Sequence, residues 1–529
     1  MILRKPSHTL FARGPRRASL ALAGACALAC LAGCNLDWEK PDASIPPPER
    51  FNEARPKSAP SIGSARDFAG RFGSRELSDA VDHALEANND LAAAVARIAE
   101  ADAQARLSSA ALWPVLTSND SVQRTQIPGT ATSTTPNYNP EQQFLSAAGN
   151  RQGAALVQNQ GVFSAARSNL FKLGLNASYE IDFWGKNDDA SKAARLLANA
   201  SRFDRNVVEI ATVASVLNAY FQVLNAQDEL RIAHENVRIA TEVYKAIKAR
   251  LDVGTATVLD VAQQETVLDN QKASIPPLEQ TVRQQRNLLA VLLGRTPESF
   301  SLKGGSLRGL RYPKVEPGLP SEMLLRRPDV AEAEAKLASQ EFSVLQARAS
   351  FFPSFTLTGQ YGLQSLVWKN LARPEAIAWQ LLTNAAQPLL DGYSLQGQYS
   401  LQQGKYAENA ALYRKQVLTA LADTENALIA VEQTRRTLSL QLDAVNAARR
   451  GLEAAQARLR EGTIDIVTLS TTQILYFQAQ TAAEQDRLAH FEAATSLFQA
   501  LGGGWSPTTR EAEIARADAA YQEDKGPWP

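Results

Sequence analysis

Cysteine is nearly missing from this chain: Cys26, Cys30 and Cys34 are the only three among 529 residues. With none after position 34, the body of the chain has no disulfide framework and no thiol chemistry. Histidine is almost as scarce. His8 sits in the N-terminal stretch, and His83, His234 and His490 stand alone, without ligand spacing to another His or Cys, so no metal is expected. No phosphate loop, nucleophile elbow or HExxH occurs, and Asp188-Asp189 is a helix-start pair rather than a catalytic dyad. Neither an enzyme nor a cofactor is expected. Charge of one sign is lacking too: 55 basic residues face 55 acidic ones, with no clustered basic face for nucleic acid. Beyond the N-terminus no run approaches about 18 consecutive apolar residues, so no transmembrane helix is expected and any membrane crossing must be by strands.

What is present begins with a targeting segment. Arg4, Lys5, Arg13, Arg16 and Arg17 form a basic region, and Leu20–Ala32 is apolar but short for a bilayer span. It ends in Leu31-Ala32-Gly33-Cys34, which resembles a bacterial lipoprotein signal with cleavage before Cys34 and lipidation there. Asn35 after the anchor is similar to outer-membrane sorting signals. Losing residues 1–33 removes five positive charges and leaves a mildly acidic chain. Residues 34–75 form a Pro-rich N-terminal segment, and its 35–62 stretch reads as a strap outside the core.

The run from Phe171 to Gly254 organises the rest. Phe171, Leu173, Leu175, Ala177, Tyr179, Ile181 and Phe183 alternate with polar Lys172, Asn176, Glu180 and Asp182, a two-residue period with one apolar face and one wet face. After Trp184-Gly185 the period turns helical to Arg250, a helix on the order of 100 Å long. The chain reverses at Asp252-Val253-Gly254-Thr255, and a second helix, interrupted at Pro276-Pro277, returns from Val258 to Leu293. Upstream, Glu76–Leu112 reads as one Ala-rich helix stopped by Trp113-Pro114, and Val115–Val122 as a weaker strand. Gln126–Ser168 reads as an exposed polar loop. Leu302–Pro320 is a Gly/Pro-rich connection.

The second half repeats the first. At an offset of about 239, Asp90 meets Asp329 and Pro114 meets Pro353; at about 208, Arg250 meets Arg458, Leu251 meets Leu459, Gly254 meets Gly462 and Thr255 meets Thr463. The first repeat spans 76–310, the second 311–505, and 506–529 is a polar C-terminal tail read as disordered. The fold class is α+β, mostly α, with four strands and two long helical hairpins per chain. Small residues (Ala211, Ala214 and Ala219 in one helix; Ala420, Ala422 and Ala427 in the other) suit close antiparallel packing. Four strands cannot close a barrel, and open edges are not tolerated in lipid, so two or more copies are needed. Trp113, Trp184, Phe351, Phe352 and Tyr361 are expected to form an interfacial aromatic girdle.

Several motifs resemble the outer-membrane efflux proteins (TolC-like), in particular the lipoprotein (NodT/OprM-type) subfamily of tripartite drug exporters. They are Leu31–Cys34; Ala84–Leu91; Glu180–Lys186; Arg326-Arg327-Pro328-Asp329-Val330; Ala347–Ser354; and Leu501-Gly502-Gly503-Gly504-Trp505. The resemblance implies a homotrimer with a twelve-stranded barrel in outer-membrane lipid and a periplasmic helical tunnel. It also implies a periplasmic adaptor (membrane fusion) protein and an inner-membrane RND-type pump as partners, for passive export of small amphipathic compounds. In that family the two helix–turn–helix tips dock the adaptor and close the periplasmic end. Here the docking candidates are Arg250, Leu251, Gly254, Thr255, Arg458, Leu459, Gly462 and Thr463. The gate candidates are Asp260, Asp465, Thr468 and Thr471; the last two stand where the family usually has acids. Asp260 and Asp465 also read simply as helix N-terminal acids favoured by the macrodipole. Two other readings remain open: a structural or adhesive coiled-coil lipoprotein without a pore, and a type I protein-secretion duct.

Overall fold

The computed structural model describes residues 38–53, 63–128, 166–315 and 318–523. The chain divides into two units, Met1–Asp42 and Ala43–Pro529. Of the first only residues 38–42 are described, so Cys34 lies outside the described residues. The second contains α1 (Ala65–Arg71), α2 (Arg75–Ala87), α3 (Asn89–Ala110), β1 (Val115–Ser118), β2 (Ser121–Ile127), β3 (Ala166–Ile181), α4 (Lys186–Asp252) and α5 (Val258–Leu292). There follow α6 (Pro320–Leu325), α7 (Pro328–Ala349), β4 (Ser354–Ser365), β5 (Ile377–Ala386), α8 (Ser394–Arg460), α9 (Ile466–Ala500) and α10 (Pro507–Glu523).

The repeat is exact in its long elements. Both α4 and α8 have 67 residues, and both α5 and α9 have 35. At ~1.5 Å per residue each long helix extends about 100 Å. Each is launched from a strand by a residue in the left-handed conformation, Gly185 (φ 77°) or Tyr393 (φ 68°). An aspartate anchors the first free amides: Asp182 Oδ2 accepts from Asn187 and Asp188 N–H (3.0 and 2.8 Å), and Asp391 Oδ2 from Leu395 N–H (2.7 Å). A carboxylate there satisfies orphan donors and meets the positive end of the helix. Asp182 is therefore a cap rather than a lining residue of the wet face.

The core sits where the short helices of one end meet the roots of the hairpins. Phe68 of α1 stacks on Phe498 of α9 at 4.2 Å, and Phe72 meets Phe221 of α4 at 5.0 Å. Phe51 is buried in the same cluster, so the Pro-rich strap is stapled to the core by one aromatic side chain. The motifs at this level are the joints of the repeat. Asn88 donates from Nδ2 to Leu292 O (2.8 Å), and Arg327 from Nη1 to Ala500 O (3.1 Å), each tying a short helix to the end of a returning one. Gly294 and Gly502 lie beside those ends with positive φ, and a Cβ on them would sit 2.2 Å from Ala87 O and 1.9 Å from Arg326 O. The connection between halves is pinned by Asp228, which accepts from Leu307 N–H (2.9 Å), and by Arg308 on buried Glu484 (Nε, 3.0 Å).

Three details differ from the sequence reading, and a fourth has to be weighed against it. The single helix expected over 76–112 is two, because Asn88 is extended and caps α3, its Oδ1 accepting from Asp90 and Leu91 N–H. Helix α5 is continuous through Pro276-Pro277; it is packed along α4, and that tertiary support offsets the usual cost of an internal proline. The tail is helical over α10: Glu513 accepts from Asn206 Nδ2 (2.9 Å), Arg510 pairs with Glu334 (2.9 Å), and Ile514 packs beside Phe203 and Trp505. Lastly, α4 carries an 18-residue window of mean hydropathy 1.6, which a transmembrane span would also show. That window is 56% buried inside the protein and holds core, as for a packed helix.

Candidate functional site: the membrane sheet and the helix tips

The sheet runs β1/β2–β3–β4–β5, antiparallel throughout. β1 and β2 pair with β3 in one register (Ser118↔Leu175, Ser121↔Lys172), and Asn119 N–H bonds Gly174 O across the gap. They act as one strand, giving four. One face carries Leu175, Tyr179 and Ile181 of β3 beside Tyr361, Leu357 and Phe355 of β4, continued by Trp379 and Leu381 of β5. The opposite face carries Lys172, Asn176 and Glu180 beside Gln364, Gln360 and Thr356. Among the described residues both outer edges are open, and β5 is exposed along its whole length. From Phe171 to Ile181 a strand rises about 33 Å, which at a ~40° tilt spans a band of about 25 Å, the height of an outer-membrane apolar belt.

Aromatic rings mark both ends of the band. At one end Trp184 stacks on Phe352 (4.7 Å) and Phe183 meets Phe355 edge-on (5.1 Å); at the other Phe171 meets Trp368 (5.5 Å). Trp113 and Trp184 are half exposed, as a girdle requires. Tyr361 is mid-strand, opposite Leu175 and Trp379, and Phe351 turns inward onto Tyr399, so neither belongs to the girdle. Phe171, Phe183 and Trp368 take those places. The alternation around Phe171 and Phe183 carried that signal; the register needed to place Tyr361 did not exist in one strand's sequence.

At the far end of the hairpins the two tips fold alike. In the first, Gly254 (φ 75°) donates to Leu251 O (2.9 Å), and Thr255 donates to Arg250 O from both N (2.8 Å) and Oγ1 (3.1 Å). In the second, Gly462 (φ 75°) donates to Leu459 O (3.0 Å), and Thr463 to Arg458 O from N (2.9 Å) and Oγ1 (3.1 Å). This is the left-handed helix C-cap that glycine allows. A Cβ on either glycine would meet nothing within 4 Å, so φ alone demands glycine and the surface beside it is open. Between the tips lies a small core of Val243, Ile247, Leu452, Ala455, Ile466 and Leu469. Arg250 Nη1 crosses it to donate to Leu459 O at 2.9 Å.

The four gate candidates sit on the helix starts. Thr257 caps α5, and Asp260 Oδ2 accepts from its N–H and hydroxyl (2.8 Å each), a closed capping box. Asp465 is itself the cap of α9 and accepts from Thr468 N–H (2.8 Å). The Thr468 hydroxyl and then its amide hold the Asp465 carboxyl below the usual carboxylate range. Thr471 is exposed and donates to Val467 O (2.8 Å). The structure thus brings Arg250 and Leu459 into contact and leaves both acids on their own turns. The Arg250 contact had no sequence signal beyond the repeat. The capping box was legible in the Thr-x-x-Asp spacing. Among the described residues no group of His, Cys, Asp and Glu is arranged to hold a metal.

A sheet with one wet and one apolar face, rooted in paired helices of this length, has a close match among known proteins. A family model described as outer membrane efflux protein matches residues 80–295 and 319–503. The chain belongs to the outer membrane efflux protein family. It is 33% identical over 489 residues (92% of this chain, 97% of the relative) to the pyoverdine export outer membrane protein OpmQ of Pseudomonas aeruginosa. It is 26% identical over 483 residues (90% and 96%) to SilC of Salmonella typhimurium, named a probable outer membrane lipoprotein. Among solved structures, the Campylobacter jejuni CmeC outer membrane channel superposes with a TM-score of 0.77 at 22% identity, covering 92% of this chain and 98% of that one. The mostly helical fold with a small antiparallel sheet is that of these channels. The protein is an outer-membrane efflux component.

Proposed function

We propose that the chain is lipidated at Cys34 and assembles as a homotrimer whose three sheets close a twelve-stranded barrel above a periplasmic helical tunnel. It would serve as the passive exit duct of a tripartite system, taking small amphipathic compounds from an inner-membrane RND-type pump through a periplasmic adaptor. The observation that carries this reading is the four-stranded sheet with open edges, since lipid leaves unpaired backbone groups no partner and only closure with further copies satisfies them. A polar face over Lys172, Asn176 and Glu180 suits a water-filled lumen rather than a solid core. The lipoprotein name of SilC supports the anchor, and the export role in the name of OpmQ supports the duct.

The open surfaces around Gly254-Thr255 and Gly462-Thr463, with Arg250, Leu251, Arg458 and Leu459, form the adaptor-docking ends under this reading. The closed periplasmic end lies at the same level. Asp260, Asp465, Thr468 and Thr471 contribute by stiffening the helix starts that surround it. The test is single-channel conductance of the purified lipidated protein in planar bilayers, with its mass in detergent measured on the same sample. A three-chain conducting species is expected. A non-conducting species of another stoichiometry sinks the duct and leaves a coiled-coil lipoprotein without a pore. Closed-state conductance unchanged by Asp260→Ala would remove Asp260 from the gate.

A further inference from the structure

The tips hold an asymmetry that the repeat resolves. Arg250, on α4, donates across the chain to Leu459 O of the second tip, at 2.9 Å. Its repeat partner Arg458, on α8, is exposed, and among the described residues its guanidinium makes no hydrogen bond or ion pair. The repeat partner of the acceptor, Leu251 O, takes only amide donors of its own turn. A carbonyl oxygen has two lone pairs, so Leu251 O has room for the donor that Leu459 O already has. Burial shows the same half-filled pattern. Ile466 at the start of α9 is 5% exposed against Val243 and Ile247 of α4, whereas Val258, its repeat partner on α5, is 73% exposed. Within the chain α4 and α9 pack together, and the repeat operation carries that contact onto α8 and an α5 that this chain does not supply.

We infer that the tips form a ring of alternating equivalent contacts, in which Arg458 donates to Leu251 O of the next copy just as Arg250 donates to Leu459 O within the chain. The occupant of the open α8 face is a second copy, presenting its α5 with Val258 and Leu259. Such a head-to-tail contact closes into a ring when the rotation fits, and the trimer proposed above is such a closed ring. The inference rests on the trimer proposed above and adds the residues that join its subunits at the periplasmic end. Three of the ring's arginine contacts then join parts of one chain, and three depend on assembly alone.

No cysteine follows Cys34, so paired cysteines report the two contacts separately in the full lipidated protein. Arg250→Cys with Leu459→Cys, treated with a short bismaleimide, should link within a chain and leave the denatured mass at one chain. Arg458→Cys with Leu251→Cys should shift the denatured mass to linked chains, up to three. Native mass is measured on both samples. If the species is a trimer and the first pair reacts while the second gives only single chains, the ring contact is wrong and the trimer stands. If no trimer is present in either sample, the function proposed above fails first. A second pair that reacts within one chain also overturns the inference.

Discussion

The two helical hairpins share lengths, turns and launching residues, yet they bury very different surfaces. Helices α4 and α9 carry more of the wholly buried side chains, Phe221, Leu217, Leu224 and Phe498 against Leu289 of α5 and Tyr406 of α8. Helices α5 and α8 leave Leu259, Leu288 and Val291, and Leu412, Leu418 and Leu440, in the open. Folding physics does not favour one copy of a repeat over the other. The difference is positional: a chain with two units has one internal junction, and each unit keeps one face for a neighbour. Exposed apolar side chains on a long helix are the cost of that arrangement in the isolated chain, and the trimer proposed above would recover it.

The largest test of the repeat lies at its joints. Arg327 is buried, paired with Asp329 and bonded to the Ala420 and Ala500 carbonyls. Arg327→Met leaves Asp329 without its cation and should cost about 3–5 kcal/mol, read as a fall in Tm. Its counterpart Asn88→Ala strands a neutral carbonyl and a cap and should cost about 1–3 kcal/mol. Equal losses at the two sites would mean that the ionic joint adds nothing to the neutral one. Gly502→Ala and Gly294→Ala come next. Each puts a Cβ within 2.2 Å of a backbone oxygen at positive φ, 1.9 Å for Gly502, and each should cost about 2–5 kcal/mol. At the tips the same substitution meets open space, so Gly254→Ala and Gly462→Ala should cost only the left-handed penalty, about 1–2 kcal/mol. Thermal unfolding of all four variants separates crowding from conformation; tip variants as damaging as joint variants would refute the separation.

How far the sequence foretold this depends on whether a feature is local. The alternation from Phe171 to Ile181 and the helical run to Arg250 rest on local periodicity, and they appear in the structure within a few residues. The paired glycines at 254 and 462 were legible for the same reason. The break at Asn88 was hidden because apolar spacing continues across it and only the cap geometry reveals it. Pro276-Pro277 misled in the opposite sense, since α5 runs on through both prolines packed against α4, a contact no local pattern shows. Helix α10 was missed because its partners Asn206, Phe203 and Glu334 lie far upstream. The Arg250–Leu459 contact likewise needs both tips placed in space.

The smallest effect in the comparison is also the one that separates the tips chemically. The first helix start uses Thr257 as cap with Asp260 three residues on, whereas the second uses Asp465 as cap with Thr468 three residues on. The two residue types have exchanged places. Asp465 in the folded tip titrates below its ordinary value of 3.8, held down chiefly by the Thr468 hydroxyl and then by its amide. A carboxyl whose folded pKa is depressed lends its stabilisation in full above the unfolded pKa and loses it as pH falls through the folded one. The second turn should therefore loosen on acidification in that acid range and be indifferent to pH near neutrality. Asparagine is as good a cap as aspartate but does not titrate, so Asp465→Asn should leave the turn intact at neutral pH and remove the acid loosening. The readout is hydrogen-exchange protection of the Thr468 amide, corrected for intrinsic exchange. Acid loosening that persists in Asp465→Asn would assign it to another group and leave the exchange of Thr and Asp between tips without a functional difference.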